Sequence, residues 1–355
     1  MKEAALQKLL RITRQFIKLR TYGHLWNALR KLHYADLASL IENLRPAEQQ
    51  TVLQLFFDRG MDTGQLAEII SEIKPELAVS ILAQFDTVRI AQIFEELSSD
   101  DAASLITLFP EDVQIDLLKK IKREESADIQ EQLAYPEESA GRIMSGDFLA
   151  LTEETSVGDA ISAIQLASED VEVPFYLYVV DDEQRLKGVV SLKQLILVNS
   201  RLQLAEIMNA DVYKVDVFTD QEEVAAVVAD YNLLAIPVVD EGDRLVGVVT
   251  VDDVVDIIQN EATEDIYKLA GVNQDYSTDL PVGRSLAKRI PWLLTSLLTT
   301  SVSALVVGLF QAEILQGVFL AVFMPIVAAL GGVVGNQSVA IMVRELVLGN
   351  LDWKK

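Results

Sequence analysis

FYLYVVDDEQRLKGVVSLKQLI (residues 175–196) and LLAIPVVDEGDRLVGVVTVDDVV (residues 233–255) are two copies of one pattern. Each starts as an apolar run, turns at a cluster of acids and returns as a second apolar run. Each then ends at Ser191 or Thr250, whose hydroxyl suits the position just before a helix. Worked outward, the copies occupy 143–198 and 207–260 in the order helix, short strand, helix, strand, turn, strand, helix. That order predicts two small α+β units in tandem.

The two segments resemble a pair of CBS domains, the tandem βαββα modules that regulate enzymes, channels and transporters. The resemblance implies that the Thr and Asp of a G-x-V-T-x-x-D turn hold the ribose of an adenine nucleotide. Gly247, Thr250 and Asp253 supply that turn in the second copy, so ATP or another adenine nucleotide is expected on Thr250 and Asp253. The first copy has Ser191 but carries Gln194 in place of the acid. Capping of a helix by Thr250 is the structural alternative.

Upstream, residues 36 to 133 repeat a helical pattern: 35–56 ADLASLIENLRPAEQQTVLQLF, 64–85 GQLAEIISEIKPELAVSILAQF and 88–109 VRIAQIFEELSSDDAASLITLF. Apolar residues recur at helical spacing on both sides of a Pro or Ser break, which predicts two short helices per unit and a small α-solenoid. Asp100 and Asp101 follow Ser98 and Ser99, where carboxylates favour a helix N-terminus. Residues 1 to 35 hold eight Lys or Arg against Glu3 alone, so they carry +7 and the remainder −31. This arm reads either as a helix lying on anionic lipid or as a basic helix packed on acidic neighbours.

Downstream of residue 283 the charge disappears. Residues 292–310 hold no charged side chain, nor do residues 314–343, and each stretch is long enough to cross a hydrocarbon core of about 30 Å. Arg284, Lys288 and Arg289 precede the first stretch and Arg344 follows the second, which puts the N-terminal part and the C-terminus in the cytoplasm. Gly331, Gly332, Gly335, Asn336 and Gln337 lie in the second span. Small residues allow close helix approach, while mid-span amides need a partner or water, so Gly332, Asn336 and Gln337 are candidates for a pore wall.

Between the repeat and the first span stands VDDVVDIIQNEATEDIYKLAG (251–271). Its acids Asp252, Asp253, Asp256, Glu261, Glu264 and Asp265 recur at spacings that put several on one helical face, where like charges repel. A solvated face explains such a run, and so does a divalent cation that turns repulsion into attraction. Magnesium fits, because it takes oxygen ligands, keeps much of its water and needs only one or two carboxylates per site. Calcium fits on ligand type, but no EF-hand spacing is present.

Composition narrows the function. The 355 residues carry a net charge of −24. The absence of cysteine and the presence of only two histidines, His24 and His33, exclude thiolate chemistry and leave little for imidazole metal sites. The acidic excess argues against a nucleic-acid partner. Neither a nucleophile–base–oxyanion arrangement nor a phosphate loop is visible, so an enzyme is not expected.

The order of acidic helical domain, CBS pair, EATEDIYKLAG connector and a span with P-x5-G-G-x2-G-N-Q is similar to the MgtE family of magnesium channels and transporters. That resemblance implies a homodimer in the inner membrane. Its connecting "plug" helices close the pore when cytosolic Mg2+ bridges the plug, CBS and N-terminal domains. Carried to matching positions, the sensor acids are Asp100, Asp220, Glu222, Asp253, Asp256, Glu261, Glu264 and Asp265. Ser104 and Asn232 stand where the family often has an acid, and Val333 follows Gly332 where it commonly has Asn. The implied domains are a basic arm (1–35), the acidic N domain (36–139), CBS domains (140–203 and 204–258), the plug (259–283) and a membrane region (284–355) with helices at about 291–310 and 314–343. The family has five membrane helices and this sequence ends after two, so the expectation is the regulatory part and the start of a pore. The expected function is passive Mg2+ influx gated by cytosolic Mg2+. A membrane-tethered nucleotide or metal sensor that does not conduct is the alternative.

Overall fold

The computed structural model describes residues 3–167, 176–269, 282–310, 314 and 317–347. Residues 270–281 of the expected plug segment therefore lie outside the described residues. The chain divides into two units, Met1–Val254 and Val255–Lys355.

In the first unit, helices α1 (Glu3–Lys18) and α2 (Tyr22–Leu29) open a ladder. It continues through α3 (Tyr34–Glu42), α4 (Pro46–Asp58), α5 (Thr63–Ser71), α6 (Pro75–Leu82), α7 (Thr87–Phe94), α8 (Ser99–Ile106), α9 (Glu111–Lys120) and α10 (Arg123–Leu133). Odd helices pack on odd and even on even, α3 on α5 on α7 on α9 and α4 on α6 on α8 on α10, giving the two layers of a solenoid. The breaks are chemically specified. Pro46 and Pro75 take the first helical position, where no N–H partner is lost, and the Asp86 carboxylate caps α7 by accepting from Arg89 N at 3.1 Å. One apolar cluster runs the length of the ladder through Leu29, Ile41, Phe56, Ile70, Ile81, Phe94 and Ile106. Leu10 and Leu25 belong to the same cluster. The basic arm is therefore packed into the helical domain by its apolar side, and of its described bases Arg14 alone pairs with an acid, Glu48.

The CBS pair follows the expected order twice. The first copy has α11 (Ala140–Ile143), β1 (Ala150–Thr152), α12 (Val157–Ala167), β2 (Tyr176–Val180), β3 (Leu186–Ser191) and α13 (Leu192–Leu197). The second has α14 (Leu204–Ile207), β4 (Val215–Asp216), α15 (Gln221–Tyr231), β5 (Ala235–Val239), β6 (Leu245–Thr250) and α16 (Val251–Leu269). In both sheets the short strand runs parallel to the central one and the hairpin partner antiparallel, with a register shift at Val179/Val180 and again at Val238/Val239. The acidic hairpin turns are built locally. Asp181 Oδ1 accepts from Glu183 N and Arg185 N, and Asp240 Oδ1 accepts from Gly242 N and Arg244 N. These carboxylates satisfy turn amides.

The leading helices are exchanged between the copies. Ala140 N and Gly141 N donate to Thr219 O and Val217 O, and Ser145 bridges to Val248, so α11 lies on the second sheet. Leu204 N and Ala205 N donate to Thr155 O and Glu153 O, and Asn209 bridges to Val189, so α14 lies on the first. Leu204 is accordingly buried in the core of the first copy. Two glycines permit the close approach. A Cβ at Gly247 would come within 2.5 Å of Met144 Sδ, and one at Gly188 within 2.6 Å of Met208 Sδ.

In the second unit, α17 (Val282–Leu309) and α18 (Val318–Val347) contain candidate membrane spans at Arg289–Leu309 and Val322–Arg344. Neither span is buried among the described residues. Leu297, Leu298, Leu305 and Val327 are all at least 60% exposed, an apolar surface that water would penalise.

Candidate metal centre

Two helix N-termini carry acids, Asp100 and Asp253, that lie 153 positions apart in the chain and interact electrostatically. The first is α8, which follows Ser98 and has Asp100 and Asp101 in its first turn, where negative charge is favoured by the exposed amides. Ser98 itself makes no side-chain cap, so the two aspartates complement the helix end rather than close it. The second is α16, which begins directly after strand β6. Here the Thr250 hydroxyl donates to Asp253 Oδ2 at 2.5 Å, and the Thr250 backbone N–H also donates to that carboxylate. The Asp253 side chain thus reaches back to satisfy the residue that precedes α16, one half of a capping box.

A short relay of contacts brings the two ends together. Gly146 N donates to Ser99 Oγ at 3.2 Å, and the adjacent Ser145 exchanges backbone hydrogen bonds with Val248, two residues before Thr250. Arg142 of α11 donates to Ala103 O of α8 and Gln132 O of α10, and Gln132 donates to Met144 O. Burial lowers the Arg142 pKa, and Glu137 partly offsets this. The exchanged helix α11 is thus the part of the CBS pair on which the helical domain sits. With α8 held there, the Asp100 charge acts on Asp253. Burial first, and then the Asp100 carboxylate, push the Asp253 pKa up to about 7. Both groups are half-buried. Two hard carboxylates at a partly wet site, each resisting the other's charge, match what a largely hydrated divalent cation needs.

The other expected sensor acids are spread out. Asp220 caps α15 by accepting from Glu222 N at 2.9 Å, and Glu222 is exposed in the following turn. Asp256 is exposed on α16. Glu261, Glu264 and Asp265 share a face with Lys268, whose ammonium pairs with Glu264. That hydrogen bond, with the charges of Glu264, Asp265 and Glu261, raises the Lys268 pKa. Asn232 ends α15 at φ 53°, a left-handed conformation that Asn tolerates better than most residues. No three His, Asp or Glu side chains converge as a metal cage among the described residues.

The nucleotide turn has different surroundings in the two copies. At the first, Ser191 and Gln194 form a capping box, and both line a cleft of about 290 Å³ together with Tyr176, Tyr178, Asp211 and Tyr213. The Tyr178 hydroxyl is buried with no hydrogen-bond partner among the described residues. At the second, Thr250 and Asp253 are turned to α8. In α18, Gly332 and Asn336 are one helical turn apart, and Gln337 follows. A Cβ at Gly331, Gly332 or Gly335 would touch nothing within 4 Å among the described residues.

The resemblance put Asp100 and Asp253 among the expected sensor acids, and the structure places both at helix N-termini. The docking residues Arg142, Gln132 and Ser99 were missed, and no motif marks them.

Residues 32–138 match the family model for the MgtE intracellular N domain, and residues 140–200 and 204–260 match the CBS domain. Magnesium transporter MgtE of Thermus thermophilus is 38% identical over 348 residues, covering 92% of this chain and 73% of that protein. Magnesium transporter MgtE of Bacillus subtilis is 31% identical, covering 90% of this chain and 72% of that protein. The crystal structure of the cytosolic domain of the Mg2+ channel MgtE in complex with ATP is 36% identical, with TM-score 0.64, and covers 69% of this chain and 98% of that one. The likeness runs through the helical domain, both CBS copies and beyond them, and the chain belongs to the MgtE family of magnesium transporters.

Proposed function

We propose that the chain moves Mg2+ passively into the cytoplasm and that its cytoplasmic part senses the same ion. The observation that carries this reading is the meeting of Asp100 and Asp253, two carboxylates from separate domains whose charges oppose the docked arrangement until a cation lies between them. At low Mg2+ the repulsion favours separation of α8 from the start of α16; at high Mg2+ the bridged pair holds the helical domain on the CBS pair. Asp220, Glu222, Asp256, Glu261, Glu264 and Asp265 extend the acidic surface through which further hydrated ions act. α17 and α18 cross the inner membrane with the helical and CBS domains on the cytoplasmic side, and Gly332, Asn336 and Gln337 line the ion path in a homodimer. No motor is required. An inside-negative potential favours divalent entry by about 4.6 kcal/mol per 100 mV.

An adenine nucleotide is the second ligand of this reading. The cleft beside Ser191 and Gln194 supports it, since the Tyr178 hydroxyl lacks a partner among the described residues and aromatic side chains line the wall. Its place is then the first copy, whereas the turn motif alone favours Thr250 and Asp253.

Reconstituted chain carrying Asp100→Asn and Asp253→Asn tests the sensor. Parent protein is expected to become resistant to proteolysis around residues 134–142 as Mg2+ rises, with Na+ at matched ionic strength having little effect. The double amide variant loses this response, because Asn keeps the shape but is a weak Mg2+ ligand. A variant that retains the parent's Mg2+ dependence would remove the pair from the sensor. Influx of Mg2+ into liposomes tests transport separately.

A further inference from the structure

We propose that the outer face of α1, with Arg20, Arg30 and Lys31 beside it, is a docking surface for the anionic phospholipid headgroups of the bilayer that the same chain spans. Helical geometry separates the two sides of α1. Leu6, Leu9, Leu10, Thr13, Phe16 and Ile17 face the solenoid, buried or half-buried. Ala4, Gln7, Lys8, Arg11, Arg14, Gln15 and Lys18 form the opposite face, all exposed and without an acid among them. The helix ends where Arg20 takes φ 54°. Beside that corner Leu19 is 60% exposed and Tyr22 is 37% exposed. Arg20, Arg30 and Lys31 are also exposed. Of these seven described cations, only Arg14 has an ion pair among the described residues, with Glu48 at 3.3 Å.

The setting selects the partner. The rest of the chain carries −31, so a +7 surface within it is neither a consequence of composition nor needed for solubility. Most of the arm lies outside the match to the MgtE intracellular N domain, which starts at residue 32. Because the apolar side of α1 is occupied by the solenoid core, this helix does not insert as a free amphipathic helix would. Attachment is electrostatic, with Leu19 and Tyr22 at most reaching the headgroup level. A cytoplasmic leaflet with anionic lipid attracts such a surface, and each cation removed weakens the attraction about fivefold.

This inference rests on the reading that α17 and α18 span a bilayer, and the experiment separates the two. The chain has no cysteine, so Gln15→Cys gives a single attachment point for a fluorophore on the basic face. Full-length protein is placed in nanodiscs of phosphatidylcholine, alone or mixed with phosphatidylglycerol, with a quencher on the lipid headgroups. Copurification with both kinds of disc reports membrane insertion. Quenching is expected only in the anionic discs, is lost in high potassium chloride, and is lost when Lys8, Arg11, Lys18 and Lys31 are replaced by Gln. Arg14 is retained because it also donates to Asn43 O within the fold. Equal quenching in both discs, or quenching that survives the fourfold replacement, would overturn the proposal. Release by inorganic phosphate beyond that caused by chloride at the same ionic strength would overturn it in favour of a soluble phosphate ligand.

Discussion

The two CBS copies share strand order, register shift, acidic hairpin turn and a hydroxyl hydrogen-bonded to the side chain three residues on, yet these helix starts have different neighbours. Ser191 and Gln194 line a cleft containing tyrosines and Asp211. Thr250 and Asp253 face the acidic first turn of α8. Duplication supplied two equivalent turns, and the helical domain, docked through α11, distinguishes them. Under the proposed function, the carboxylate at the start of α16 serves where a cation can answer Asp100. In the first copy an amide fills the same position, and the Gln194 Nε2 donates to Ile207 O of the exchanged α14. Under the proposed function, the repeat divides its sites between two ligands by changing one side chain and one neighbour.

The exchange of α11 and α14 is the part of the comparison on which both copies should agree, and breaking it has the largest expected cost. Gly247→Val and Gly188→Val each drive a branched side chain into Met144 or Met208, whose Cβ as well as whose sulfur is in the way. Each is expected to destabilise the cytoplasmic part by roughly 1–3 kcal/mol, measured by urea unfolding of a fragment ending at Leu269. Met144→Ala should recover part of the loss at Gly247 and none at Gly188. A loss at one glycine only would mean that the copies are not equivalently exchanged.

The copies should separate under pH. Asp253 has its pKa raised to about 7 by burial and by Asp100, so the folded state holds its proton more tightly than the unfolded chain does. Stability from this group is full below the ordinary carboxylate range and is lost as pH rises through about 7. Mg2+ compensates only where the carboxylate is ionised. Mg2+-dependent protection should therefore weaken by roughly tenfold in apparent affinity for each pH unit below about 7. Proteolysis titrations across that range measure it. The first copy has no acid at this position, and its ligand affinity should not follow the same curve.

Exchanging the distinguishing side chains sharpens the point. Gln194→Asp places a carboxylate beside the first cleft, where it can accept from a ribose hydroxyl, and should raise ATP affinity roughly tenfold by calorimetry. It should add no Mg2+ response, since no acid of α8 faces it. Asp253→Gln should remove the Mg2+ response and leave ATP affinity unchanged. Weaker ATP binding in Asp253→Gln would return the nucleotide to the second copy.

How much of this was legible in the sequence depends on the range of the interaction that fixes it. Strands, hairpin turns and paired short helices are set by period and by local caps, and Asp181, Asp240, Pro46 and Pro75 announce them within a few residues. The exchange of α11 and α14 leaves no periodic trace, because an apolar Leu204 buries equally well on either sheet. The Asp100–Asp253 meeting depends on Arg142 and Gln132 holding main-chain carbonyls, contacts that carry no motif. Resemblance to a family identified those acids; periodicity alone gave each of them a helix start. The basic arm shows the same limit, since its amphipathic pattern fits burial against lipid or against protein, and only the solenoid core decides.

The smallest expected effect concerns the caps themselves. Ser191→Ala and Thr250→Ala each remove a hydroxyl bonded at the start of a helix, a change that costs about 1 kcal/mol in a typical helix cap. In the first copy the cap is closed from both sides, because Gln194 N donates to Ser191 Oγ and the Ser191 hydroxyl and N–H donate to Gln194 Oε1. Ser191→Ala should therefore show that ordinary cost, independent of Mg2+. In the second copy the Thr250 hydroxyl also holds Asp253 in its ionised form, opposing burial and Asp100. Removing it pushes the Asp253 pKa further up, so more of the carboxylate is protonated at neutral pH and relieved of its repulsion. Without Mg2+ the cost of Thr250→Ala should then be smaller than that of Ser191→Ala. With saturating Mg2+ it should be larger, because the ion must first expel the proton. Unfolding of both variants with and without Mg2+ reads this difference of differences. Equal costs under both conditions would mean that Thr250 caps α16 and does nothing for the metal.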